Sequence, residues 1–479
     1  MKPITRRTFI KTSIAGAGWV VAGLPSAKIV GANDDLRVAV VGFHGQGRSH
    51  VGRWVGMEGV RLVALCDVDE SVLNGMAAQL DQNNISVEKY TDVRRLLEND
   101  EIDAISIATP NHWHSLITIW ACQAGKDVYV EKPCSHNVFE GRKCVEAARK
   151  YNRIVQHGTQ NRASSDWARQ IAVAQSGKYG KLLVSKGYCC KPRWSIGFKP
   201  IEDPPEHLHF DLWLGPAPMQ PYHGNLVHYN WHWFWATGNG DIGNQGVHQM
   251  DIARWAIKGA TLPRSVVSMG GRWVDGPDFK DQGETPNMEL SVFDFGESLL
   301  VFETRGLVGN QLGGVYSNKV ANEFYLEEGA IKDGQFFPKG SDQGEPLAEV
   351  DYHVYPNWIF GNFIDCVRSR KQEELNADIL EGHYSSALCH LGNIPYRVGE
   401  DVPFEERPTI FQENEIVSDS MRTVLENTEA LGVKPEEATY RLGPKLEFDP
   451  EAERFVNNPQ ANQLLTREYR DPFVVPNKV

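Results

Sequence analysis

Leu36-Arg37-Val38-Ala39-Val40-Val41-Gly42-Phe43-His44-Gly45-Gln46-Gly47-Arg48 is an apolar, β-branched run that ends directly in a glycine cluster. Such a run predicts a buried strand, and the glycines predict a tight turn into a helix whose first NH groups face an anion. Runs of the same character recur at Leu62-Val63-Ala64-Leu65, Ile105-Ser106-Ile107-Ala108, Val128-Tyr129-Val130 and Ile154-Val155, with helical spacing between them. One intervening helix is capped by Thr91-Asp92 before Val93 to Leu97, and another begins after Asn111. Alternation of this kind makes a parallel sheet wound on both faces.

This is the pattern of a Rossmann domain, and the glycine turn is its ligand site. The G-x-G-x-x-G spacing is imperfect, because His44 stands at the middle glycine and Gly45 follows one residue later. Gly42, His44, Gly45, Gln46 and Gly47 are the expected pyrophosphate contacts. Asp67 ends the second run, where an acid accepts the ribose hydroxyls. The residues after it, Val68-Asp69-Glu70, bring no arginine for a 2'-phosphate, so NAD is expected in preference to NADP.

The remaining length needs more than this one domain, since the chain has 479 residues. Beyond residue 180 the texture changes to strand-like runs at Lys181–Cys190, Ser265–Gly270 and Leu299–Arg305, joined by long loops. Helical segments Val247–Ile257 and Trp358–Ser369 interrupt them. The expectation is an α+β domain with an open, mostly antiparallel sheet at 158–400, after a Rossmann doubly wound parallel sheet at 33–157. A charged C-terminal extension fills 401–479 and is expected to wrap the body or a neighbouring subunit.

A net charge of -13 gives no positive field for nucleic acid, which excludes that class of partner. The first 32 residues carry Arg6-Arg7 before a short apolar stretch from Thr12 to Leu24, which resembles a twin-arginine export signal. That implies an exported, periplasmic protein with no stable membrane anchor once mature. Eight cysteines lie scattered without metal-site spacing and are expected to be packing thiols.

Three segments carry a family resemblance: Ala108-Thr109-Pro110-Asn111-His112-Trp113-His114, Glu131-Lys132-Pro133, and Asp241-Ile242-Gly243-Asn244-Gln245-Gly246-Val247-His248. They resemble the Gfo/Idh/MocA oxidoreductases over about residues 36 to 400. The resemblance implies NAD(P)-dependent chemistry on a secondary hydroxyl of a sugar, cyclitol or derivative. It further implies that Lys132 lies beside the nicotinamide ribose and the reacting oxygen, that His248 accepts the proton, and that Thr109, Asn111, His114, Glu131 and Gln160 contact the cofactor. Many relatives have an aspartate where this chain has Asn244, and an amide cannot take a proton. The burden then falls on His248, or on Asp241 if the turn brings it inward.

Aromatic faces stack on the C–H face of sugar rings, and Tyr229-Asn230-Trp231-His232-Trp233-Phe234-Trp235 precedes the catalytic segment. Arg193, Trp231, His232 and Trp233 are therefore the expected substrate contacts. The near pairs His112/His114, His207/His209 and His228/His232 have the donors for a metal, but hydride transfer to NAD needs none, and pocket lining is the expected role.

Three functions remain open. The first is net oxidation or reduction of a sugar-like alcohol with tightly held NAD. The second is redox-neutral glycoside cleavage through transient ring oxidation and elimination, although the NAD-dependent α-N-acetylgalactosaminidases of that kind lack the Glu-Lys-Pro element kept here. The third is a non-catalytic sugar-binding protein on a Rossmann scaffold. A homo-oligomer is expected in each case.

Overall fold

A computed structural model of the protein describes residues 35–273, 280–308, 319–404, 408–429 and 438–479. The twin-arginine segment lies outside the described residues.

The apolar runs form strands β1 (Leu36–Val41), β2 (Val60–Cys66), β3 (Glu88–Tyr90), β4 (Ala104–Ile107), β5 (Asp127–Val130) and β6 (Val155–His157). They pair in parallel in the order β3-β2-β1-β4-β5-β6. Helices α1 (Gly47–Val55), α2 (Glu70–Asp81), α3 (Val93–Leu97), α4 (His114–Gln123) and α5 (Val138–Lys150) connect them. Successive side chains on a strand face opposite ways, so Val38 and Val40 pack with Trp54 on one face while Ala39 and Val41 pack toward α4 on the other. Both faces are dry, as a parallel sheet requires.

The second domain adds α6 (Ser165–Gln175), β7 (Leu182–Cys190), α7 (Val247–Ala256), β8 (Ser265–Gly271), β9 (Met288–Asp294), β10 (Leu299–Arg305) and β11 (Lys319–Leu326). Its sheet is centred on the order β11-β7-β10-β9-β8, in which β10 runs parallel to β7 and the other pairs are antiparallel. Helices α6 and α7 cover one face, together with α9 (Ile379–Val398), a long buried helix wedged between the two domains. The opposite face is partly covered by α10 (Glu415–Glu429), whose Val417, Met421 and Leu425 pack on Val267, Leu290 and Val292.

The chain crosses between the domains more than once. Helix α8 (Trp358–Ser369) returns to the Rossmann sheet and places Phe360 and Phe363 against Trp54 and Tyr129. The C-terminal segment also returns there, with Phe473 and Val475 buried in the α4 layer beside Trp113. All eight cysteines are buried and unpaired. Among the described residues no helix is long and apolar enough to cross a membrane.

Candidate active site

The carboxyl ends of β1, β2, β4 and β5 open onto a cavity of about 660 Å³ that the second domain closes from above. Topology places it there, because β2 and β4 flank β1 on opposite sides and their following loops diverge.

The glycine turn fits a pyrophosphate. Gly42 sits at φ +76°, and a side chain there would press on Thr109 at 2.8 Å, while around Gly45 no atom lies within 4 Å of an added Cβ. Gly47 opens α1, where a Cβ would fall 2.0 Å from the Gly42 carbonyl, so only glycine lets the turn close this tightly. The Arg48 and Ser49 NH groups close back on the Gly45 and Gln46 carbonyls at 3.1 and 2.9 Å, which tightens the first turn of α1 behind Gly42, Gly45 and Gln46 on the cavity wall. Asp67 accepts from the Phe43 and Asp69 NH groups, both at 3.0 Å, which fixes its carboxylate at the cavity wall. Desolvation pushes the Asp67 carboxyl up to about 6 against the pull of those two bonds. The buried Thr109 hydroxyl has no partner of its own.

At the other end, Lys132 follows β5 and donates from Nζ to the Asn244 carbonyl at 2.9 Å. Burial lowers its ammonium, with Glu131 and Asp241 opposing. His248, one residue into α7, lines the same wall, and its buried Nδ1 has no partner. Burial and the Lys132 charge bring His248 down to about 3, so it is a neutral imidazole at any working pH. Glu131 is held by His50 Nε2 at 3.0 Å, and His50 Nδ1 in turn meets Ser106 Oγ at 2.9 Å. Burial alone would raise that carboxyl, but the His50 hydrogen bond and the neighbouring Lys132 ammonium bring it to about 2.

Of the expected site residues, Gly42, His44, Gly45, Gln46, Asp67, Thr109, His114, Glu131, Lys132, Gln160, Trp231, His232, Asn244 and His248 line this one cavity. His114 stands at the wall with its ring nitrogens 2.6 Å from the Pro133 carbonyl and 2.8 Å from that of Thr109, so it ties the β4 loop to the Lys132 segment. Five others stand behind the wall, among them Gly47 at the start of α1. Asn111 turns away to donate to Asn239 at 2.5 Å, which makes it a bond between domains. Asp241 does not point inward: it accepts from Arg193 Nε at 2.7 Å and from Asn244 Nδ2 at 3.2 Å. Arg193 lies over the Trp233 ring at 5.4 Å, and Trp233 is buried beneath it.

The histidine pairs do not assemble a metal site among the described residues. His112 is buried with its ring nitrogens against the Trp213 and Thr237 carbonyls. His207 and His228 instead bond Asp69, the N-cap of α2, each at 3.0 Å. With His209 on Glu70 at 2.8 Å, they fasten a strap from Glu202 to Trp231 across the ribose end of the cleft. This strap, His50 and Lys191 escape a sequence reading, because their partners are distant in the chain.

Residues 36–159 match the model described as an oxidoreductase family with NAD-binding Rossmann fold, and residues 179–270 match that family's C-terminal alpha/beta domain. Both domains match the Gfo/Idh/MocA family. The N-terminal domain is thus an NAD-binding Rossmann domain. A glycosyl hydrolase family 109 protein of Saccharopolyspora erythraea is 29% identical over 208 residues, covering 39% of this chain and 45% of that protein. Another from Shewanella putrefaciens is 28% identical over 225 residues, 41% and 48% of the two chains. The chain spans about half the length of these curated relatives. Among solved structures, the WlbA dehydrogenase of Bordetella pertussis, in complex with NADH and UDP-GlcNAcA, superposes with TM-score 0.54 at 18% identity over 75% of this chain and 95% of that one. An oxidoreductase domain protein of Kribbella flavida gives 0.52 at 20% over 74% and 95%. At these identities the likeness is one of fold.

Proposed function

We propose that this Gfo/Idh/MocA protein is an NAD-dependent oxidoreductase acting on a secondary hydroxyl of a sugar, cyclitol or glycoside, with its cofactor tightly held. The observation that carries the reading is the approach of Lys132, His248 and Asn244 to one wall of the cavity whose far end is the glycine turn. NAD, when bound, supplies the hydride acceptor. Lys132 spends one hydrogen on the Asn244 carbonyl, and burial eases its deprotonation, so the amine is the group that takes the hydroxyl proton. His248, held neutral near 3, is too weak a base for that task and orients the hydroxyl. Trp231 stacks on His232 at 3.6 Å and offers a flat face for a sugar ring.

Tight retention is supported by the strap over the ribose end, and it suits an exported protein, since the twin-arginine route carries folded chains to a compartment without free NAD. A dissociation constant on the order of nanomolar would be needed. Redox-neutral glycoside cleavage is the second reading, favoured by the glycosyl hydrolase family 109 names of the curated relatives. One experiment separates these readings. Protein purified from the cytoplasm is denatured and assayed for released nicotinamide nucleotide, then native protein is given sugars and aryl glycosides without added NAD. Near-stoichiometric nucleotide with a lasting change in cofactor absorbance supports oxidation, and released aglycone without net reduction supports cleavage. An empty protein that binds NAD only in the micromolar range defeats the retention claim.

A further inference from the structure

The substrate end of the cavity is cationic in a protein whose net charge is -13. Lys132 lines it, and two further cations, Lys191 just after β7 and Arg193 two residues on, stand directly behind its wall. Their charges reach one another's neighbours, for Lys132 and Lys191 both depress His248, and Lys132 and Arg193 both depress His232. Among the described residues, the carboxylates that act on Lys132 and Arg193 are Glu131 and Asp241, and both are engaged elsewhere. Glu131 is bonded to His50, and Asp241 is taken by Arg193 and Asn244.

Lys191 is left without an acid. Its Nζ donates to the amide oxygen of Gln245 at 2.6 Å, and among the described residues it has no carboxylate partner. Gln245 lines the cavity beside Asn244 and His248, so this lysine stands one side chain away from where a substrate would sit. A half-buried lysine bonded to one neutral amide keeps two N–H donors for something else.

Building on the oxidoreductase reading, we propose that the substrate is an anionic sugar, with its carboxylate or sulfate held by Lys191 and oriented by the Gln245 amide. Neutral sugars would reach the same wall but leave the Lys191 ammonium uncompensated. Arg193, locked on Asp241 and stacked on Trp233, fixes the position of the loop that carries Lys191.

Matched pairs of methyl hexopyranosides and methyl hexopyranosiduronates in the gluco, galacto and manno series test this, alongside the 6-sulfates. Binding is read by tryptophan fluorescence, since Trp231 lines the cavity, and turnover by cofactor absorbance. In at least one series the charged member should bind about tenfold or more tighter than its neutral parent, the scale of a hydrogen bond to a charged group. In Lys191→Met that ratio should collapse toward unity. Comparison of the uronate with the sulfate identifies which anion is read. Failure of every charged member to exceed its parent overturns the proposal, as does a preference that survives Lys191→Met. Preferential binding of the anion without any turnover leaves this inference standing and instead removes the oxidoreductase reading.

Discussion

The imidazole of His44, on the glycine turn, lies flat on that of His228, on the strap, with centroids 3.9 Å apart and planes 9° from parallel. A cofactor-binding loop and its cover thus meet through two titratable rings. His44 is depressed by burial and by Arg48, and His228 by burial and by His44, both below the usual 6.5, while Asp69 opposes. The closed strap therefore binds fewer protons than the open one, so closure weakens as pH falls below about 6.5. NAD should leave several-fold faster at about pH 5 than at about pH 7.5. His44→Phe keeps the stacking and removes one proton site, so its release should be less steep. Filtration of loaded protein at several pH values measures this, and a flat release rate would show that the ring pair does not control the strap.

Removing Lys132, the proposed proton acceptor, should separate chemistry from binding. Lys132→Met should lower kcat by roughly 100-fold or more while NAD retention stays within about threefold. His248→Gln keeps a hydrogen-bonding group and should lose less. If the two losses prove reversed, the imidazole takes the proton and the lysine assists it.

The His50–Glu131 bond predicts a stability effect with a defined pH dependence. The Glu131 carboxyl lies near 2 in the folded protein against an ordinary 4.5, so its contribution is complete above about 4.5 and fades as pH falls toward 2. Replacing His50 with leucine strands a buried charge and should cost about 3 kcal/mol near neutral pH. Adding Glu131→Gln to that variant should restore part of the loss. Urea unfolding of the two single variants and the double variant gives the coupling directly, and simple additivity would mean that the bond contributes nothing.

Gly42 offers a purely steric test. An alanine at φ +76° and 2.8 Å from Thr109 must displace the β4 loop, so Gly42→Ala should purify with a few-fold or lower NAD content and a modestly lower Tm. Gly45→Ala, where no atom lies within 4 Å of the added carbon, is the control and should change cofactor content far less. Equal cofactor content in both variants would mean that the turn is not the pyrophosphate site.

Legibility followed local chemistry. β1, β4 and β5 are apolar and β-branched, and they could be read one residue at a time. The edge strand Glu88-Lys89-Tyr90 has no apolar run and could not. The long helix α9 was equally hidden, because Gly382, Gly392 and Pro395 read as breakers. Its glycines are there for close approach, since a Cβ on Gly382 would sit 2.6 Å from the His157 ring and one on Gly392 would sit 2.7 Å from Ile242. At the site, Lys132 and His248 were visible through recognisable segments. Arg193 and Trp233 were placed in the right neighbourhood but one layer too far forward. His50 could not be found, because its meaning lies in Glu131, 81 positions away. Strap residues and Asp69 are separated further still, by 138 positions for His207.

The C-terminal segment imposes an order of events during synthesis. Arg467 bonds the carbonyls of Ala236 and His112, one from each domain, and Phe473 and Val475 fill the α4 layer. These residues leave the ribosome after every element they pin together. The nucleotide half emerges first, and its glycine turn precedes its cover in the chain. Strap, wedge helix and tail follow in that sequence, each closing on what is already there. The tail is thus the stitch that closes the seam between the two halves.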